Sequence, residues 1–453
     1  MHIQRIIKIF LGIMLGVAIV LPAGAQNKDA YEMMVNGVKV IVQPSGNEIV
    51  EVLIILKGGV QNYPADKAGI EKLAMTALTE CGTTKDDKNS FKNKLDKVSA
   101  EIDGTSEMDF SSLRLNCISS DLETVWPLYI DAFTSPLFDS KEFDRIKQDA
   151  INQLKSRASQ PDESIDKLAK QTAYAGKDYS KDPNGTEETV SKLDAVETKA
   201  YYTSLLTRSR MLVVVVGEID RGKLEKMIQT LTENIPQGNP VNISRYNYIP
   251  EKNTFKSEKK ELATNYIEGI TGGPLPGTPD YNAYVLAVRI FSQRDFLEVR
   301  TNNGLSYAPH VVFNGGLSPS TAIFVSTTNP DKYKAVIDQL IDKTKKEGFT
   351  PKEVKNGKTT YITGFYYRME TNSAQATALA SNEILHNNWR RALTIKDDME
   401  KVSVADVDRV FNKYINHITW VYQGDSAKVN PDLYSNAPAK TRMPDSRLKN
   451  EKK

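Results

Sequence analysis

Apolar and polar residues alternate over Val38–Val42 and Val50–Leu56, and again over Thr264–Ile270, which is the period-two pattern of strands that bury one face. Helical spacing follows each. It runs from Gly69 through Leu78, near Leu122–Phe133, along a long polar-apolar stretch that starts at Phe138-Asp139-Ser140-Lys141-Glu142-Phe143, and over Lys332–Lys346. Two short apolar runs, Met211–Val216 and Ile418–Tyr422, predict buried strands.

The order of these elements repeats. In the first half the helix near Leu122–Phe133 leads to the Phe138 segment, a long helix, Val190-Ser191-Lys192-Leu193, and a strand closed by Gly217-Glu218-Ile219-Asp220. In the second, helix Lys332–Lys346 leads to Gly348-Phe349-Thr350-Pro351-Lys352-Glu353-Val354, a long helix, Val402-Ser403-Val404-Ala405-Asp406-Val407, and a strand closed by Gln423-Gly424-Asp425. The period, roughly two hundred residues, marks a duplicated domain rather than a solenoid. Pro236-Gln237-Gly238-Asn239-Pro240 and the polar stretch that follows punctuate the chain between the halves. The expected division is therefore 1–25 leader, 26–235 first domain, 236–256 linker, 257–425 second domain and 426–453 polar tail. With no periodic apolar face, the tail is expected to dock loosely or to be disordered.

At 453 residues the chain exceeds what one hydrophobic core usually serves. Arg5 and Lys8, an apolar run from Ile9 to Pro22, and Ala23-Gly24-Ala25 before Gln26 form the charge, core and small-residue pattern of a secretory signal. Cleavage after Ala25 is expected; an uncleaved anchor is the alternative, and the run is short for a span. The mature chain then belongs outside the cytoplasm, most simply in a bacterial periplasm. Removing the leader takes Arg5 and Lys8 and no acid, which leaves 57 of the 59 basic residues against 57 acidic ones. That balance argues against nucleic acid or an anionic membrane as partner. Cys81 and Cys117 could pair in an oxidising compartment or remain buried thiols, and neither outcome makes a zinc site.

Several segments together resemble the M16 (pitrilysin/insulinase-like) metallopeptidases. Val35-Asn36-Gly37-Val38-Lys39-Val40 is similar to the family's first strand, Gly58-Gly59 before Tyr63-Pro64 to its strand-end turn, and Phe138 to Arg145 to its F-x-x-x-E-F-x-R helix start. Phe291-Ser292-Gln293-Arg294-Asp295-Phe296-Leu297-Glu298-Val299-Arg300, followed by Gly304-Leu305-Ser306-Tyr307, resembles the S-x-R-L-F-x-x-L-R-x-x-x-G-L-x-Y segment. The likeness runs from Glu32 to Asp425. It implies an α+β fold of two tandem homologous domains of the mitochondrial-processing-peptidase/LuxS-like metallohydrolase type, closing like a clamshell over a peptide-sized chamber.

The family's inverted zinc motif, H-x-x-E-H, falls on Gly69-Ile70-Glu71-Lys72-Leu73-Ala74-Met75-Thr76-Ala77-Leu78, where its three catalytic positions read Lys72, Met75 and Thr76. The third ligand, a glutamate in the family, falls on Gln153. Zinc takes imidazole, carboxylate or thiolate donors, which an ammonium, a thioether, a hydroxyl and an amide do not replace. Asp149 and Glu163 lie near in sequence, and the four histidines, His2, His310, His386 and His417, sit singly. No metal is expected in this chain.

Arg300 and Tyr307 retain the family's other pattern. In two-subunit bacterial members (the M16B type), the resemblance implies, one chain brings zinc while the other lacks the motif and lends an arginine and a tyrosine at this spacing. A guanidinium fork can hold a substrate carbonyl or carboxylate, and a phenol can donate to a developing oxyanion, a contact worth about 3 kcal/mol. The plain alternative pairs Arg300 with Glu298 and packs Tyr307 as a strand aromatic in Leu305–Val312. Gly272-Gly273-Pro274 and Gly315-Gly316 read as turns, and the charged stretch Lys85–Lys97 as a solvated helix face.

Two functions follow. One is a catalytically incomplete subunit, inactive alone, that binds peptide and completes the active site of a homologous partner bearing H-x-x-E-H, with zinc only in that partner. The other is a non-enzymatic peptide-binding or scaffold pseudopeptidase in the periplasm.

Overall fold

The computed structural model describes residues 29–435. The expected leader and its cleavage site, together with residues 436–453, lie outside the described residues.

The chain opens with a hairpin, β1 (Tyr31–Val35) and β2 (Val38–Gln43), joined at Asn36-Gly37. Both turn residues have positive φ, 48° and 80°, the conformation an Asn-Gly hairpin turn adopts without strain. β3 (Ile49–Lys57), β4 (Glu101–Ser106), β5 (Phe110–Ile118) and β6 (Met211–Val216) complete a six-stranded sheet in the order β1-β2-β6-β3-β5-β4. β6 runs parallel to β2 and antiparallel to β3. Every residue of Met211–Val216 is buried, as a strand covered on both faces requires.

The second sheet contains β7 (Thr254–Lys259), β8 (Asn265–Thr271), β9 (His310–Asn314), β10 (Ser320–Thr327) and β11 (Thr419–Gly424), in the order β7-β11-β8-β10-β9. β11 is parallel to β7 and antiparallel to β8. Strand for strand this repeats β2-β6-β3-β5-β4, so the duplication read from element order is present in the topology.

Each half lends a helix to the other. Pro161–Ala173, from the first half, lies on β8 and β11, while Asn372–His386, from the second, lies on β3 and β6. Their apolar faces, Ile165, Leu168 and Ala169 on one and Ala376, Leu379 and Ala380 on the other, share a single core with Leu53, Ile55, Val214, Ile270 and Val421. Polar contacts tie the same seam. Lys39 Nζ donates to Glu383 Oε1 at 2.7 Å, Trp389 Nε1 to Glu32 Oε2 at 2.6 Å, and Asn372 Nδ2 to the Ile49 carbonyl at 2.7 Å.

The stretch between the halves has no regular structure from Ser209's partner Asn239 to Asn253, and β7 begins at Thr254, inside the expected linker. It is fastened rather than loose: Tyr246 and Tyr248 pack on Tyr174, with ring centres 5.9 and 5.3 Å away.

The described part of the tail, 426–435, corrects an expectation. Instead of docking loosely after Asp425, the chain ends its described part in a short helix, Pro431–Ser435, that inserts Tyr434 into the second core. The Tyr434 hydroxyl donates to the Pro330 carbonyl at 2.8 Å, and its ring lies 4.9 Å from Phe255. One aromatic anchor does the work of a periodic face.

Candidate functional site

Helix Ile70–Glu80 starts at Gly69, whose φ of 95° is open to glycine and where a Cβ would stand 2.8 Å from Val190 Cγ2. The helix buries Ile70, Leu73, Ala74, Ala77 and Leu78. Its backbone presses on the edge strand β4 at Gly104, where a Cβ would lie 2.1 Å from the Met75 carbonyl oxygen. Opposite runs helix Ser140–Ala158, whose first turn is capped by Asp139 accepting from the Glu142 N–H at 3.0 Å.

Between these three elements lies a cleft of about 400 Å³ that brings together Lys72, Thr76 and Gln153, with Ile102, Asp103 and Gly104 of β4 along one side. Met75 does not join them. It is fully buried in the first core, beneath Gly104. The Thr76 hydroxyl donates to the Lys72 carbonyl at 2.9 Å, so it is spent on its own helix.

The carboxylates on the cleft wall are all engaged. Arg145 donates to Asp149 at 3.0 Å and to Glu80 at 2.7 Å, Lys92 lies 2.9 Å from Glu80, and Arg114 donates to Asp103 at 2.8 Å. Burial raises the Glu80 pKa, but the bonds from Lys92 and Arg145 outweigh it and hold the carboxyl below its ordinary value. Glu163 receives Arg157 at 2.8 Å. Lys92, from the stretch read as a solvated helix face, and Arg145, read only as part of a family helix start, both line the cleft and supply its ion pairs beside Lys72. That residues on two separate helices meet at this cleft has no signal in the sequence.

Behind the cleft, Glu71 is fully buried and accepts from Asn62 Nδ2 at 3.0 Å and from the Tyr201 hydroxyl. Burial raises its pKa against those two bonds. The side chains facing the cleft are thus an ammonium, a committed hydroxyl and an amide, with carboxylates locked in ion pairs. That donor set does not fit zinc. Among the described residues no group of three or more His, Cys, Asp or Glu is disposed to hold a metal.

The histidines are dispersed. His310 stacks on Phe324 at 4.8 Å, His417 is exposed, and His386 stands edge-on to Tyr281 at 4.8 Å with burial lowering its pKa to about 4. His2 lies outside the described residues. Cys81 and Cys117 are free and buried, and burial pushes their thiols up to about 12 and about 11.

Arg300 and Tyr307 stand side by side on the second half. Helix Tyr281–Asp295 continues into a wider π-type turn, Phe296–Asn302, which carries Arg300. Gly304, at φ 59°, reverses the chain, and the Leu305 N–H donates to the Val299 carbonyl at 2.9 Å. The Arg300 guanidinium lies 4.2 Å from the centre of the Tyr307 ring and 5.0 Å from that of Phe296. Neither half of the plain alternative holds. Glu298 accepts from Asn302 at 2.8 Å and Asn303 at 3.0 Å, not from Arg300, and β9 begins only at His310, leaving Tyr307 78% exposed. The cleft lining includes neither Arg300 nor Tyr307.

Comparison with known proteins adds to this geometry. Residues 39–187 match the model for insulinase (peptidase family M16), and residues 192–361 match the model for the peptidase M16 inactive domain. The chain belongs to the M16 peptidase family. The two M16 models divide before β6, although that strand lies in the middle of the first sheet. Among M16 relatives, the chain is 18% identical over 335 residues to the uncharacterized zinc protease YmxG of Bacillus subtilis, covering 73% of this chain and 81% of that protein. It is also 18% identical to the mitochondrial-processing peptidase subunit beta of Lentinula edodes, covering 74% of this chain and 76% of that protein. The peptidase M16 inactive domain from Pseudomonas fluorescens superposes with a TM-score of 0.79 at 16% identity, over 89% of this chain and all of that one, a likeness of fold.

Proposed function

We propose that this chain is a catalytically incomplete M16 subunit that binds peptide and lends Arg300 and Tyr307 to the active site of a homologous partner bearing H-x-x-E-H. The observation that carries this is the pair itself: a guanidinium and a phenol held against each other, the phenol open to solvent, with no ion pair to Arg300 among the described residues. In that setting the guanidinium fork holds a substrate carbonyl or carboxylate, and the phenol donates to the oxygen that gains charge as a peptide carbonyl is attacked. Lys72, Thr76 and Gln153 would leave the chain inactive alone, so zinc belongs to the partner. That one relative is named a subunit supports a multi-chain setting. The leader-like residues 1–25 support export, most simply to a periplasm.

A scaffold reading is favoured by one observation. β4 is an edge strand beside the cleft, and an extended peptide can add to such an edge without any chemistry. Co-purification with a homologue carrying an intact H-x-x-E-H, followed by peptide hydrolysis by each chain and by the complex, separates the two. Activity confined to the complex supports the subunit; a complex no faster than the zinc-bearing chain alone leaves the scaffold.

A further inference from the structure

The second half has a groove at the place that the cleft occupies in the first. Helix Tyr281–Asp295 and edge strand β9 bear the relation to their sheet that helix Ile70–Glu80 and edge strand β4 bear to theirs, and the space beside them is about 910 Å³. That volume is at the upper end for a small-molecule site and suits a stretch of peptide. Its walls are apolar and open: Leu297 is 55% exposed and Val312 41%. Arg289 and Tyr361 lie on the same lining.

Arg289, on the lining, has no ion pair among the described residues, and two more arginines stand near its neighbour Tyr361. Arg368, Arg289 and Arg391 all bear on the Tyr361 phenol, which burial nonetheless holds above its ordinary pKa. Arg391 donates only to the neutral Asn282 Oδ1, at 2.9 Å. Among the described residues none of these three arginines has an ion pair. The acid that Arg391 influences, Asp398, is taken by Thr394 at 2.9 Å and Lys401 at 3.2 Å. The Nε atoms of Arg289 and Arg391 are buried with no hydrogen-bond partner. Donors left this way cost free energy until an acceptor arrives. A carboxylate offers two oxygens to the guanidinium fork and carries the missing charge.

We propose that this groove binds an acidic segment of a peptide or protein, a carboxylate on Arg289 and its apolar side chains against Leu297 and Val312, with Arg391, outside the lining, adding positive charge through Asn282 and Tyr361. Length and apolar walls favour such a segment over a free anion. The site needs no partner subunit and stands whether or not Arg300 and Tyr307 serve one.

The test uses the isolated mature chain and a fluorescein-labelled peptide of alternating Glu and Leu, with its Gln-for-Glu counterpart and inorganic phosphate as competitor. The acidic peptide should bind, with anisotropy showing affinity about tenfold or more weaker for the Gln peptide and for Arg289→Gln. Arg391→Gln, on a different helix, should weaken it in the same direction by a smaller factor through lost charge, and both variants should melt as the parent does. Equal binding of the Gln peptide, or unchanged affinity in both folded variants, overturns the proposal. Displacement by equimolar phosphate overturns it in favour of a simple anion site.

Discussion

The guanidinium of Arg300 lies 4.2 Å from the centre of the Tyr307 ring, seven positions along the chain and across a glycine-reversed turn. With Tyr307 78% exposed, this stacking contributes only about 0.5–1 kcal/mol to the fold. Arg300→Ala and Tyr307→Phe should each leave the urea unfolding free energy within about 1 kcal/mol of the parent. A loss above about 2 kcal/mol would show that the pair is structural.

Tyr434 is the opposite case. It is fully buried against Phe255 and Trp420, so Tyr434→Ala should cost about 3–5 kcal/mol in urea unfolding. A loss below about 1 kcal/mol would mean that the tail is not docked as described.

Much of this fold is legible in the sequence because strand and helix periods report which faces are buried. They do not report against what. Ile165, Leu168 and Ala169 mark an apolar helix face, yet nothing in their spacing says that it covers β8 and β11 of the other half. Tyr434 was illegible for a related reason, since a five-residue helix with one buried side chain has no period. At the cleft, alignment to the family motif located Lys72, Thr76 and Gln153, but not that Met75 turns into the core. Burial of a single position in a helix depends on the neighbouring strand, here on Gly104.

Two buried acids set the pH response. Burial pushes Glu268 up to about 8, with Asp166 adding and Lys170 opposing, and burial alone pushes Asp295 up to about 7. Both bind a proton more tightly folded than unfolded, so the stability they supply is full below their unfolded values of 4.5 and 3.8 and is lost as pH rises through about 7 and 8. His386 acts in the other sense: with its pKa lowered from 6.5 to about 4, it favours folding increasingly as pH rises across that interval. Above about pH 6.5 only the acids remain. The denaturation midpoint should therefore fall between about pH 6.5 and 8.5, and Glu268→Gln should flatten that fall. A parent curve that is level or rising there would contradict the assignment.

Restoring the zinc motif should fail. In Lys72→His, Met75→Glu and Thr76→His combined, Gln153 still supplies no carboxylate, and the new glutamate starts from a fully buried position beneath β4. Elemental analysis after dialysis should find no stoichiometric metal. About one zinc per chain would contradict the reading of this cleft.

The role assigned to Arg300 and Tyr307 rests on catalysis in a complex. Steady-state peptide hydrolysis by the chain assembled with the proposed H-x-x-E-H-bearing partner, with assembly of every variant first checked by size, measures it directly. Tyr307→Phe removes one hydroxyl donor and should lower kcat, with kcat/KM falling by about a hundredfold, while Arg300→Ala should act mainly through KM. Unchanged kcat/KM in both fully assembled variants would contradict the assignment.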